Sequence, residues 1–476
     1  MTAPPRHPDA HASTIAERLD RLSWSRLHTT ILVALGAGWL FDSFEVQMFS
    51  SAIGPLGDHF HATVTQRDAV LAVWLGGILL GAMAGGRLAD RFGRRRLFVA
   101  TLLWYAGFTV LTGLAPDLPA VYVLRGLAAL GVGAEYAIVN AAIAEFMPAR
   151  VRGKANAVVM NFWPAGAIVA GLVAYVVLVT LAVSAATSWR YMFVLGGVVA
   201  LVVLFFRRRI PESPRWLVSQ GRHLEAEAVM ASLEAGDGRL HGPQSRIDDE
   251  RPLRLGPAVA ELIRRYPGRL ALGAILDLAE AFGYYGIFAL LSVVVLPQVH
   301  ISQRSIPLFY IVGNVGGLAG GLVMSSFFDR VGRRATVAGF YTLAAGGVGL
   351  LAAATATGSA AWVTVAFVVS NAAATAAWTS AYPTFTELFP THLRGAGVGT
   401  SVAIGRVGAI VGTLALPSLA THLGATVSYS LVAAFWLVGV AAMGAFAWRG
   451  GQDGARRPLE TLVPTTAAVL APVAGR

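Results

Sequence analysis

The chain contains no cysteine, which excludes disulfides and thiolate metal sites and leaves the redox compartment unread. Lysine occurs once, at Lys154, and Ala155 follows it. A phosphate-cradling loop needs Gly-Lys-Ser/Thr, so no such loop couples a nucleotide to this protein. Charged residues make up only 13%, against about 25% in soluble domains. The ten histidines sit in tails and loops without a His-x-x-x-His pair, and no nucleophile or metal cluster converges. No enzyme activity, metal or other cofactor is expected. The first 28 residues lack an apolar core, so no cleavable signal peptide is expected.

Apolar residues are abundant, at 55%. They recur in runs long enough to span ~30 Å of hydrocarbon as helices. Twelve spans are expected, near 29–51, 68–88, 97–115, 119–144, 155–182, 189–206, 270–297, 305–327, 336–357, 360–386, 396–417 and 426–448. No segment alternates as a transmembrane strand would, so the expected fold class is an all-α membrane protein. With both termini in the cytoplasm, 32 of the 37 Lys+Arg fall in inner loops, tails or inner span ends, as the positive-inside rule requires. That topology and contact with anionic lipid account for the net charge of +11, and no nucleic-acid partner is expected.

Two motifs occur twice. Asp90-Arg91-Phe92-Gly93-Arg94-Arg95 returns 239 residues later as Asp329-Arg330-Val331-Gly332-Arg333-Arg334. Glu145, Pro148, Arg152 and Gly153 return 242 residues later as Glu387, Pro390, Arg394 and Gly395. The period is far too long for a solenoid. It marks a duplicated domain, as in transporters built from two similar halves. The expected units are a cytoplasmic tail 1–28, a bundle 29–206, a central cytoplasmic segment 207–268, a second bundle 269–448 and a cytoplasmic tail 449–476. The central segment opens with Arg207-Arg208-Arg209, has helical apolar spacing from Leu224 to Leu233, and turns rich in turn formers from Gly236 to Pro257. Ile15, Leu19 and Leu22 share a face; a short helix lying on the inner leaflet and an unstructured tail both fit.

In the repeated loops Gly93 and Gly332 permit tight turns, Asp90 and Asp329 suit helix caps, and the arginines suit pairing with Glu145 and Glu387. The expected gating set is Asp90, Arg91, Arg94, Glu145, Arg152, Asp329, Arg333, Glu387 and Arg394; inside-positive topology with ordinary capping is the plainer reading. Ionisable residues inside the spans each cost at least ~2.5–3.5 kcal/mol unless paired or wet. They are Asp42, Glu45, Arg125, Glu135, Asp277, Glu280 and Arg406. Asp42 and Glu45 share a helix face, and Asp277 and Glu280 repeat the spacing. A proton-carrying carboxylate needs desolvation and a nearby cation to discharge it; Glu45 and Arg125 suit that pair. At 100° per residue, Tyr136 lies almost beneath Arg125 and Asn140 a little further round, while Glu135 turns toward a neighbouring helix. Asp277, Glu280 and Tyr284 share one face, and Asn371, Trp378 and Tyr382 another. Such polar and aromatic stripes suit a wet cavity better than a dry interface.

The paired Asp-Arg-x-Gly-Arg-Arg loops, the paired Glu-x-x-Pro-x-x-x-Arg-Gly span ends and Pro211-Glu212-Ser213-Pro214-Arg215-Trp216 together resemble the major facilitator superfamily. The resemblance covers residues 20–450, and is nearest to the sugar-porter-like and organic-acid:proton symporter branches. It implies twelve transmembrane helices in two pseudo-symmetric six-helix bundles, a central cavity and alternating access. It also implies that the first-span acid in Phe41-Asp42-Ser43-Phe44-Glu45 takes a proton and that Arg125, ahead of Gly131 and Gly133, modulates its release. Whether Asp42 or Glu45 carries the proton stays open. Gly405-Arg406-Val407-Gly408 resembles the eleventh span of organic-acid symporters, whereas Pro-Glu-Ser-Pro-Arg is at home in sugar porters. Span 5 carries Pro164 without the paired glycines of drug/proton antiporters, which favours uptake. The expected function is proton-coupled uptake of a small organic acid, with Arg406, Asp277, Glu280, Tyr284, Tyr136, Asn140, Asn371, Trp378 and Tyr382 around the substrate. A sugar or polyol porter, an exporter and a non-transporting sensor are the alternatives. The expected partners are the substrate, protons and the lipid bilayer, for a monomer integral to the plasma membrane (the inner membrane, if bacterial).

Overall fold

Hydrocarbon offers the backbone no hydrogen-bond partner but itself, so apolar runs must close as helices. The computed structural model describes residues 15–181, 183–235, 255–302, 305–390 and 393–451. A short α1 (Ile15–Arg21) precedes α2 (Arg26–His59), α3 (Val64–Phe92), α4 (Arg94–Gly113) and α5 (Leu118–Phe146). The fifth span joins α6 (Ala149–Met160) to α7 (Phe162–Tyr175) and one π-helical turn, Val176–Thr180; α8 (Ala185–Arg207) is the sixth. Three polar helices follow: α9 (Pro214–Ser219), α10 (His223–Ala235) and α11 (Leu255–Arg265). The second half is α12 (Pro267–Leu290), a π-helical turn at Leu291–Val295 with the short α13 (Leu296–Gln298), then α14 (Ile306–Val331), α15 (Arg333–Ala356), α16 (Ala360–Leu388), α17 (Arg394–Leu423) and α18 (Ala425–Trp448). Among the described residues twelve helices are long and apolar enough to cross a membrane, and they fall on the twelve expected runs.

Packing repeats with the sequence. In the first half α2 packs on α7 and α8, α5 on α3 and α4, and α4 on α8. In the second, α12 packs on α17 and α18, α16 on α14 and α15, and α15 on α18. The halves meet through α3 with α17 and through α14 with α6 and α7. The duplicated loop is one device used twice. Gly93 (φ 89°) turns α3 into α4, and Gly332 (φ 93°) turns α14 into α15. Both sit where a side chain would be strained.

Three local expectations change. The cap on α4 comes from Glu212 rather than Asp90: its carboxylate accepts from the backbone N–H of Arg94 at 2.8 Å. Trp216 of the same segment donates Nε1–H to the Asp90 carbonyl at 2.7 Å. Helix α8 runs through Arg207, which is buried rather than the first charge of a loop. Helix α1 packs on protein instead of lying on lipid. Ile15, Leu19 and Leu22 are buried, and Arg18 bridges Glu227 at 2.7 Å and Glu234 at 2.9 Å on α10. The expected helix at Leu224–Leu233 is α10; residues 236–254 of the turn-rich stretch lie outside the described residues.

An Arg18→Glu change sets like charges against α10 and removes both bridges. Protease cleavage after Arg21 should accelerate severalfold in detergent while the twelve spans keep their helical circular dichroism. An unchanged cleavage rate would mean that the bridges do not hold α1 in place.

Candidate transport site

Two separate charge clusters lie inside the first bundle. Glu45 on α2 accepts from Arg125 Nη1 on α5 and from Thr109 Oγ1 at 2.8 Å on α4. Aromatic faces surround that guanidinium, with Phe49 at 4.5 Å, Phe193 at 5.5 Å and Trp74 at 5.8 Å. Such contacts stabilise a desolvated cation. The Glu45–Arg125 pairing is the one the sequence suggests. The second cluster involves Arg207, which sequence reading assigned to the central loop. Its side chain turns inward, donates to the Phe98 carbonyl at 2.7 Å and pairs with Glu135 on α5. Gly38 makes room for this pair, since a Cβ there would overlap both Arg207 and Glu135. Asp42 is fully buried in the field of Arg207, with the Tyr105 hydroxyl as its polar neighbour.

In the second bundle the cation is Arg406 on α17. Its Nη1 donates to the Tyr285 hydroxyl and its Nη2 to the Tyr382 hydroxyl, each at 3.2 Å. Asp277 stands at 3.7 Å, a loose ion pair. Glu280, one turn along α12, is buried with Oε2 unpartnered. The guanidinium also lies over Tyr136 of the first bundle at 5.3 Å, so this site joins the halves. Around it runs an aromatic seam. Trp39 contacts Tyr136 (4.6 Å between centroids), Trp163 (5.8 Å) and Tyr382 (6.2 Å). Trp39 and Trp378 face each other from opposite bundles, nearly parallel at 14° with centroids 6.2 Å apart. Tyr284 stacks toward Trp378 at 6.1 Å. Buried polar groups usually find partners, but Trp39 Nε1, Arg406 Nε and Glu280 Oε2 have no hydrogen bond among the described residues. Unspent donors and acceptors around one point are what a polar solute needs.

The structure thus gathers Arg406, Asp277, Glu280, Tyr284, Tyr136, Trp378 and Tyr382. Asn371 stands apart: its Nδ2 donates to the Gly313 carbonyl at 2.9 Å, tying α16 to α14. The Asn140 side chain lies outside the described residues. Sequence reading missed Trp39, Trp163 and Tyr285. In an apolar run a tryptophan has no signal beyond hydropathy, and Tyr285 lay off the helical face chosen for Asp277.

At the arginine-rich end each half carries the same clamp. Arg94 pairs with Asp90 and Glu145, both at 2.7 Å; Arg333 pairs with Asp329 at 2.7 Å and Glu387 at 2.6 Å. Between halves, Asp329 accepts from the Lys154 N–H at 2.8 Å, Gly86 approaches Gly395, and Arg152 acts electrostatically on Glu387. Arg394 bonds the Thr386 carbonyl within its own half at 2.9 Å. Arg91 is exposed, over the Phe92 ring.

The family model described as Major Facilitator Superfamily matches residues 35–413 and 274–472. The chain belongs to this superfamily. It is therefore a secondary transporter of small metabolites and not an enzyme, integral to the membrane with twelve spans. Among curated superfamily members, the niacin transporter NiaP of Acinetobacter baylyi is 28% identical over 86% of this chain and 90% of that protein. The probable 4-methylmuconolactone transporter of Cupriavidus pinatubonensis is 29% identical over 82% and 83%. An inner membrane metabolite transport protein of Escherichia coli, YgcS, is 26% identical over 90% and 93%. The fold is shared with the proton:xylose symporter XylE bound to 6-bromo-6-deoxy-D-glucose, with a TM-score of 0.75 at 21% identity, over 91% of this chain and 98% of that one.

Removing one partner of a buried pair strands the other charge, at a cost of about 3–5 kcal/mol. Arg207→Gln should therefore lower the thermal unfolding midpoint of this transporter strongly, and Arg207→Gln with Glu135→Gln should recover most of the loss. A double variant as unstable as the single one would show that Glu135 is not the partner that matters.

Proposed function

We propose that this transporter takes up a small, flat organic monoanion together with protons, by alternating access. The observation that carries the reading is Arg406, a buried cation between two tyrosine hydroxyls inside an aromatic seam made by both bundles. A guanidinium offers a carboxylate a two-pronged match. Tyr285 and Tyr382 accept from Arg406 and hold its guanidinium toward the seam. The parallel Trp39 and Trp378 rings favour a flat solute, since aromatic faces stack. That one relative is named for niacin, an aromatic carboxylic acid, and another for a muconolactone points the same way. A sugar would leave the guanidinium without an anion to meet.

Proton coupling is assigned to Asp42, Glu45 and Arg125. Arg125 holds Glu45 in place, while Asp42, buried and without an ion-pair partner in contact among the described residues, is the stronger candidate for the group that carries the proton in this state. The arginine-rich end is assigned to the cytoplasm by the positive-inside rule, with both termini there. The clamps of Arg94 and Arg333 then brace each bundle on that side. Asp329, Lys154, Gly86 and Gly395 close the inner gate between the bundles.

Counterflow of labelled nicotinate in proteoliposomes tests the anion site. Arg406→Lys, which keeps the charge and loses the fork, should weaken apparent affinity about tenfold, and Arg406→Ala about a hundredfold or more. Uncharged nicotinamide should be affected far less by either change; equal losses for both solutes would exclude Arg406 as the carboxylate partner. For coupling, Asp42→Asn or Glu45→Gln should sharply lower accumulation against a gradient while counterflow persists. If both variants concentrate nicotinate normally under an imposed pH gradient, the proton lies elsewhere.

A further inference from the structure

Two carboxylates in the second bundle, Asp277 and Glu280, share a single guanidinium, Arg406. With both acids ionised the cluster carries one net negative charge, and an incoming anion would make it two. The low-dielectric interior makes either arrangement costly. We infer that Asp277 is a second proton-loading group, which an anionic substrate displaces from Arg406 and which takes up a proton as it leaves. The inference rests on the anion reading above.

The geometry fits an exchangeable partner. Asp277 sits 3.7 Å from Arg406 Nη2, beyond hydrogen-bond reach, and its fully buried carboxylate has the Tyr382 hydroxyl as its neutral neighbour. Gly405, beside Arg406, gives it room: a Cβ at 405 would overlap the Asp277 carboxylate. The same guanidinium is held by Tyr285 and Tyr382, so it keeps its position when Asp277 lets go. The other titratable groups facing the acids are Tyr284 and Tyr285 on α12, Tyr341 on α15 and Tyr382 on α16, while Tyr136 on α5 faces Arg406. Arg406 on α17 is the charged group opposite them, and Trp436 of α18 closes the far side at Gly283. Among these described residues no second cation stands by to neutralise Asp277, so a proton does. With one cation for two acids, Glu280 is neutral before the anion arrives and Asp277 becomes neutral after. The N-terminal acids and Asp277 then load protons independently, and transport of a monoanion moves net positive charge inward.

The test is titration calorimetry of the detergent-purified full chain with nicotinate, repeated in buffers of different ionisation enthalpy. The wild type should take up about one proton per nicotinate bound, with affinity rising as pH falls. Asp277→Asn should bind nicotinate without that uptake, with affinity nearly independent of pH and tighter than wild type at neutral pH. Asp277→Ser asks the same question if the Asn protein does not fold. Binding by the wild type without proton uptake, or uptake that survives in both variants, would overturn the inference while leaving the anion site standing. No binding heat from nicotinate or benzoate would instead remove the anion reading, and this inference with it.

Discussion

A charge in hydrocarbon must be paired, wetted or neutralised, and the interior of this protein is organised around that requirement. Arg125, Arg207 and Arg406 are fully buried. Each meets its obligation differently. Arg207 is locked to Glu135 and the Phe98 carbonyl, which ties α8 to α4 and α5. Arg125 is paired with Glu45 but ringed by aromatic faces rather than further acceptors. Arg406 is held by neutral hydroxyls, with its acid at arm's length. The series runs from a pair bonded also to a backbone carbonyl, through a pair ringed by aromatic rings, to a cation whose acid stands 3.7 Å away.

The two bundles are joined around Arg406 and at the arginine-rich end. Tyr136 beneath Arg406 and Trp39 opposite Trp378 are contacts between halves. At the arginine-rich end the junction is backbone-close, at Gly86 with Gly395 and at Lys154 with Asp329, while the Arg94–Glu145 and Arg333–Glu387 pairs each lie inside one half. Rigid clamps within bundles and lighter contacts between them are what rocking of two bodies requires.

Much of this was legible in the chain because hydrocarbon imposes few solutions. Span length is fixed by the bilayer, so the apolar runs gave the twelve helices to within a few residues at most ends. The duplicated Asp-Arg-x-Gly-Arg-Arg segments marked Gly93 and Gly332, whose positive φ explains the glycine. Ionisable residues within spans are rare enough that Glu45, Arg125, Asp277 and Arg406 stood out, and Glu45 with Arg125 could be paired in advance. Arg207 could not. Its place at the end of an apolar run reads as loop charge, and only the fold shows the long side chain turning back inward. Trp39 and Trp163 were silent because an aromatic ring in an apolar helix looks the same whether it faces lipid or a solute. The polar stripe of Asn371, Trp378 and Tyr382 was half misleading, since side chains two turns apart on one face can meet different neighbours. Helix α1 has the pattern of a lipid-lying helix, and nothing local to it reveals that Glu227 and Glu234 are waiting on α10.

The availability of Arg406 is tested most directly by a cryo-EM structure of the full chain in nanodiscs with saturating nicotinate. The expected density places the carboxylate on Arg406 with the Tyr285 and Tyr382 hydroxyls pointing at it, the ring against Trp378, and Asp277 turned away. A ligand bound elsewhere, with Arg406 still facing Asp277 across an unchanged seam, would contradict the account.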